Sequence, residues 1–145
     1  MHTSEQQAGD DRTQRERGLE VAEAFAGADM VDHVRAAFAD TAPEFVDYMV
    51  DFVFGEVYAR PGLSPVERQI ASIVALTTLG GADFALKNHI EIGLRVGMDP
   101  AKVVATIMQA LPHAGFARVA EAMLMARRVF AEQDLHVFDK PSGAS

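Results

Sequence analysis

The stretch FGEVYARPGLSPVERQIASIVALTTLGG, Phe54–Gly81, decides how the rest of the chain reads. It holds the end of one helix and the start of another. Pro61 has no amide proton and Gly62 tolerates dihedrals that other residues avoid, so RPG closes whatever precedes it. SPVE then opens a new helix. Ser64 is the N-cap, Pro65 takes the first helical position, and Glu67 stands at the third, where its carboxylate reaches back to the cap amide. Beyond the cap, Val66, Ile70, Ile73, Val74 and Thr77 fall on one stripe at helical spacing, and Gly80-Gly81 stops the run.

The same punctuation recurs on both sides. Upstream, TAPE predicts a helix with Thr41 as N-cap and Glu44 at the third position, carrying Phe45, Met49, Phe52 and Val53 on one face as far as about Tyr58. Before it, a helix is expected from about Thr13 to Ala26, with Leu19, Ala22, Phe25 and Ala26 as its apolar stripe. A shorter piece follows over about Met30 to Ala39. Downstream, a helix from about Asp83 to Val96 stops at Gly97. DPAK opens the next, with Asp99 capping and Pro100 at the first position, and it is expected to end near Pro112. The last runs from about Gly115 to Gln133, with Val119, Met123, Ala126, Arg127 and Phe130 at helical spacing. No segment alternates as a strand would. Short connections favour antiparallel neighbours, so the expectation is an all-α, compact bundle of about six to seven helices. Residues 1–12 are polar and aperiodic and are expected to form a disordered tail. Residues 13–135 are expected to form a single domain, and the Pro/Gly/Ser-rich residues 136–145 a flexible tail.

Composition narrows the function classes. With 145 residues, the chain suits one domain with its own core better than two. A net charge of −8 opposes binding to a nucleic-acid backbone. The absence of cysteine removes disulfides, thiolate metal sites and thiol redox chemistry together. The polar N-terminus shows no signal segment and no run is long enough to span a bilayer, so a soluble, cytoplasmic protein is expected. HExxH, a phosphate-binding glycine loop and a nucleophile elbow are all missing, and the histidines and carboxylates show no metal-ligand spacing. The seven methionines stand mostly at core-like spacing.

Several residues remain that carry chemistry. Glu67 belongs to its capping box. Arg68 is not needed for the cap and is either a partner for a substrate or buried carboxylate, or a solvated arginine. Glu56, Tyr58 and Arg60 gather at the end of a helix, where polar groups either converge on a cleft or form the wet end of the helix. His89, on the edge of an apolar face beside Leu86 and Gly93, is either a hydrogen-bonded core residue or a proton carrier tuned by burial. Asn88 is its neighbour, Glu91 points elsewhere on the same helix, and His113 sits at a helix boundary. His33 and His136 have no supporting context.

GEVYARPGL followed at the right distance by LKNH resembles the carboxymuconolactone decarboxylase family, and the likeness extends over roughly residues 15–132. It is nearest to the γ-carboxymuconolactone decarboxylases, with their FGE/D-I-W-x-RPGL segment, a following arginine, an L-x-x-H pair and a Y-x-G-x-P turn. The resemblance implies an all-α, alkylhydroperoxidase-like fold that needs no cofactor and no metal and assembles into trimers or hexamers. It implies a reaction in which a carboxylated lactone loses carbon dioxide and is reprotonated on another carbon. By family position His89 would transfer the proton, and Glu56, Arg60 and Arg68 would hold or polarise the substrate, with Asn88 a looser contributor. Tyr58 stands in place of the family's tryptophan, Glu91 in place of an arginine, His113 in place of the later tyrosine, and Ala117 in place of the proline. Reversing a charge at Glu91 disfavours the family's usual dicarboxylate and favours a less acidic lactone or cyclic intermediate. The alkylhydroperoxidase-like branch uses C-x-x-C-x-x-x-H; here those cysteines fall at Ala82 and Ala85, which excludes thiol peroxidase chemistry.

The expected function is therefore a cofactor-independent lyase or isomerase acting on a lactone or related cyclic carbonyl substrate, 4-carboxymuconolactone first among them. His89, Glu56 and Arg68 are expected to be catalytic, and Arg60, Tyr58, Glu91, His113 and Asn88 to bind substrate, in one pocket. The alternative is a catalytically silent oligomer that binds or scaffolds. A third reading, metal-assisted chemistry through His89, His113 and a carboxylate, is testable by metal titration.

Overall fold

The structure, a computed structural model, describes residues 12–138. Residues 1–11 and 139–145, most of the two expected tails, lie outside the described residues. Every regular element among the described residues is helical, as the punctuation predicts. The chain divides at Arg60–Pro61, inside the RPG break, into two compact units.

In the first unit, α1 covers Gln14–Ala26 and α2 Ala28–Phe38, separated by Gly27 at φ 82°. Thr13 caps α1 through a capping box with Glu16, a second such box besides the one read from SPVE. The next helix begins as α3, Pro43–Tyr48, and continues without interruption as a π-helical segment, Met49–Tyr58. Its start corrects the expectation from TAPE. Pro43 occupies the first turn, so the cap position falls on Ala42, and the Thr41 hydroxyl turns instead to the Asp40 carboxylate at 3.1 Å.

The face of this helix is corrected in part, for Met49 packs against the buried cluster as expected. Val46 and Val50 are buried with Val34, while Phe45 and Phe52 are exposed. The reason lies in α1, which crosses at backbone contact. A Cβ on Gly18 would lie 2.2 Å from the Val50 carbonyl oxygen, and one on Gly55 would lie 2.6 Å from the Gln14 carbonyl oxygen. A π turn also holds more residues than an α turn, so a 3.6-residue wheel drifts out of register along it. The Gln14 side-chain amide donates to the Asp51 carbonyl at 3.0 Å inside the segment, an insertion of the kind that accompanies departures from α geometry. Arg15 clasps the same residue from outside, and its hydrogen bonds hold the Asp51 carboxyl below the ordinary carboxylate range.

The second unit holds α4 (Pro65–Leu79), α5 (Asp83–Arg95), α6 (Pro100–Gln109), the single turn α7 (Leu111–Ala114) and α8 (Phe116–Glu132). The SPVE box is present as read: Glu67 Oε2 accepts from the Ser64 amide at 2.7 Å and Ser64 Oγ from the Glu67 amide at 3.2 Å. Asp99 caps α6 through the Lys102 amide at 2.7 Å. That helix stops at Gln109, short of the expected end near Pro112. Pro112 instead lies in the first turn of α7, where a missing amide proton costs nothing. Gly115, at φ 80°, then separates α7 from α8. The core of the unit joins Ile73, Ile90, Val103, Ile107, Val129 and Phe130 from four helices, and Leu135 and Val137 pack against it after α8 has ended. Arg118 on α8 donates to the Thr78 carbonyl, satisfying one of the last acceptors of α4. No helix is long and apolar enough to cross a membrane among the described residues.

Candidate functional site

The second unit holds the site's central hydrogen bond, made where α4 packs on α5. Apolar burial drives the two helices together: Ile73 on α4 and Leu86 and Ile90 on α5 share one core. One turn of α4 before Ile73 stands Gln69, with no exposed surface, and one residue before Ile90 on α5 stands His89. The two polar side chains meet inside this contact, His89 Nδ1 lying 2.8 Å from Gln69 Oε1. Gly93, one turn after His89, keeps α5 close to α4; a Cβ there would come within 3.8 Å of Gln69 Cβ and 3.6 Å of Ile73 Cδ1. The imidazole is half-buried, and its desolvation pushes the histidine below its usual pKa range, so the neutral ring is favoured.

Arg68, the residue before Gln69, is 8% exposed, which excludes the solvated arginine among its two readings. A guanidinium keeps its charge when buried and presents a planar fork of donors, the chemistry suited to a carboxylate or an enolate oxygen.

On α5, Asn88 is half-buried next to His89. Glu91 points toward Lys87, 3.9 Å away, and Lys87 in turn meets Glu132 of α8 at 2.9 Å. The Glu132 hydrogen bond holds the Lys87 ammonium above its ordinary range. Glu91 is thus part of a mixed-charge group rather than an isolated anion. His113 is exposed on α7, an element that packs against α4. Among the described residues no group of three or more histidines and carboxylates gathers to hold a metal ion, so the metal-assisted reading finds no ligand set there.

The other three residues expected at the site belong to the first unit. Glu56 is exposed, and its Oε1 lies 3.3 Å from Arg17 Nη2 on α1. Tyr58 is half-buried in an aromatic group, its ring centroid 5.4 Å from Phe25 and 5.3 Å from Phe54. Tyrosine in this place keeps aromatic packing and adds a hydroxyl. Arg60 is exposed immediately after the π segment.

A histidine held by a buried amide, with a buried arginine next to that amide in sequence, is the arrangement on which the comparison with known proteins bears. The model of the carboxymuconolactone decarboxylase family matches residues 43–128, more than half of the chain. The chain belongs to the carboxymuconolactone decarboxylase family. It is 29% identical over 122 residues to the 4-carboxymuconolactone decarboxylase of Acinetobacter baylyi, an alignment covering 84% of this chain and 90% of that one. It is equally 29% identical over 119 residues to an uncharacterized 15.0 kDa protein of Paracoccus denitrificans, across 81% of this chain and 87% of the relative.

Gln69 is the site residue that sequence reasoning missed in this family member. Its signal was present: Gln69, Ile73 and Thr77 recur every four residues, which puts a polar side chain at the head of the apolar stripe of α4. A glutamine in that position needs a buried partner. The stripe alone does not reveal that the partner lies twenty residues ahead, on the next helix.

Proposed function

We propose that this protein is a cofactor-independent lyase or isomerase of lactones or related cyclic carbonyl compounds, with 4-carboxymuconolactone as the first substrate and His89 as the proton carrier. The observation that carries the reading is the partly desolvated His89 hydrogen-bonded to Gln69, the residue that follows buried Arg68 on α4, in a member of the carboxymuconolactone decarboxylase family.

The chemistry asks little else of the protein. When the bond to the carboxylate breaks, carbon dioxide leaves and the electron pair spreads into the conjugated lactone as an extended enolate. A fixed cation such as Arg68 stabilises that oxygen charge far better in a desolvated site than water does. A proton delivered to a ring carbon completes the product, and an imidazole does this at moderate pH. In this reading Asn88, Glu91 and His113 shape what the site accepts. The roles of Glu56, Tyr58 and Arg60 are tested separately by substitution. The protein is proposed to act as a homo-oligomer, in agreement with large apolar residues left exposed on individual helices, Leu79 and Phe116 among them.

The test is carbon dioxide release from 4-carboxymuconolactone by purified protein, beside His89→Ala. Release that is lost in the variant supports the reading. A folded wild type that releases none rejects this substrate and moves the search to neutral lactones; a wild type inert toward those as well favours the silent binding or scaffold protein.

A further inference from the structure

The amide of Gln69 meets the imidazole at Nδ1, and the identity of the meeting atoms bears on which ring nitrogen carries the proton. Gln69 Oε1 lies 2.8 Å from His89 Nδ1. A carbonyl oxygen only accepts, so the neutral ring must carry its proton on Nδ1, leaving the lone pair on Nε2. Gln69 is fully buried, its Nε2 has no hydrogen-bond partner among the described residues, and a Cβ added to Gly93 on α5 would stand 3.8 Å from its Cβ. The side chain is therefore packed in place and committed to this one bond. A buried amide that makes only one of its bonds is a cost to folding. A leucine or methionine would fill the same volume without that cost.

We propose that Gln69 is a positioning residue that locks His89 as the Nδ1–H tautomer and thereby makes Nε2 the atom that exchanges protons with substrate. A neutral amide does this differently from a carboxylate. It fixes the tautomer and the ring's rotation, yet adds no charge to stabilise the imidazolium, so the ring gives up a proton readily once it has one. The inference rests on His89 as the proton carrier, but its test needs no turnover.

The experiment is long-range 1H–15N correlation spectroscopy of the full chain labelled with 15N-histidine, in wild type, Gln69→Leu and Gln69→Glu, with the resonances of His89 assigned by loss in His89→Ala. Wild type is expected to show the Nδ1–H tautomer, and Gln69→Leu to lose it in favour of Nε2–H. Gln69→Glu keeps an acceptor opposite Nδ1 and adds a negative charge, so the tautomer should persist and the titration midpoint of His89 should rise by about 1 to 3 pH units. If the leucine variant does not fold, the glutamate variant decides alone, through that upward shift. An Nε2–H tautomer in wild type, an unchanged tautomer in folded Gln69→Leu, or no shift in Gln69→Glu overturns the proposal. Loss of activity in His89→Ala is a separate measurement, so a protein inert toward lactones with the predicted spectra refutes the catalytic reading, and with it the proton exchange at Nε2, while the tautomer lock by Gln69 stands.

Discussion

Gly18 meets Val50 backbone to backbone: the space a Cβ would occupy on Gly18 is 2.2 Å from the Val50 carbonyl oxygen. No side-chain rotation relieves that contact, because the obstructing atom belongs to a helix. Gly18→Ala gains about 1 kcal/mol of helix propensity, yet the two helices must separate, which costs about 1–3 kcal/mol or more in a packed unit. A net loss of stability is expected in urea denaturation. Gly93→Ala is the contrasting case. Its nearest obstacle, at 2.8 Å, is the Met98 sulfur, near the free end of a flexible side chain. It should lose less than Gly18→Ala; the reverse order would refute the close-crossing account.

Arg68 is buried, and its charge alone does not define its role. Arg68→Lys retains the charge but replaces a planar fork with a point donor. On 4-carboxymuconolactone, or whichever lactone is turned over, kcat/KM should fall about 10-fold or more in Arg68→Lys and about 100-fold or more in Arg68→Met. Circular dichroism of each variant separates lost chemistry from lost folding. A lysine variant with wild-type kcat/KM would reduce Arg68 to a structural cation.

The pH dependence of stability carries a sign that His89 sets. Burial depresses its pKa in the folded protein below the ordinary value near 6.5. Between that ordinary value and the lower folded one, the unfolded chain binds the proton and the folded chain does not, so stability falls as pH falls through this window and is fully retained above it. The loss per pH unit cannot exceed about 1.4 kcal/mol for one proton. The depressed carboxyls of Glu67 and Asp51 act lower, below their ordinary values of 4.5 and 3.8. Denaturation midpoints from pH 7.5 down to 5 should therefore decline less in His89→Gln than in wild type. Equal declines would assign the effect to another group.

The same histidine gives the reaction a direction in pH. A decarboxylase that returns the proton through His89 needs the imidazolium, so kcat/KM should fall as pH rises, with a midpoint below the ordinary histidine value. An isomerase that first removes a proton needs the neutral ring, and its rate should rise with pH through the same midpoint. Rates between pH 5 and 8 distinguish the two, and a flat profile would remove His89 from the proton-transfer step.

Local chemistry was legible from sequence wherever a residue acts on its own helix. The Ser64–Glu67 box, the Asp99 cap and the stops at Gly80 and Gly97 all need partners only three or four residues away. Thr41 shows where even local rules compete, since Pro43 displaced the cap by one residue. The buried face of the helix that begins at Pro43 was not legible, because Gly18 and Gly55 set it from opposite sides of a helix crossing and a π segment changed its period.

The site divides along the same line. The sequence by itself determined a helical chain, the caps at Ser64 and Asp99, the breaks at RPG, Gly80 and Gly97, the lack of thiol chemistry, and His89 and Arg68 as residues of interest. Those properties follow from residue type and short-range spacing. Only the tertiary structure decided that Arg68 is buried, that Glu56 pairs with Arg17, and that Gln69 holds His89. Burial and the two pairings made between helices depend on which faces of separate helices the apolar core brings together, and that choice is made by packing across the whole unit, where spacing along the chain has no say.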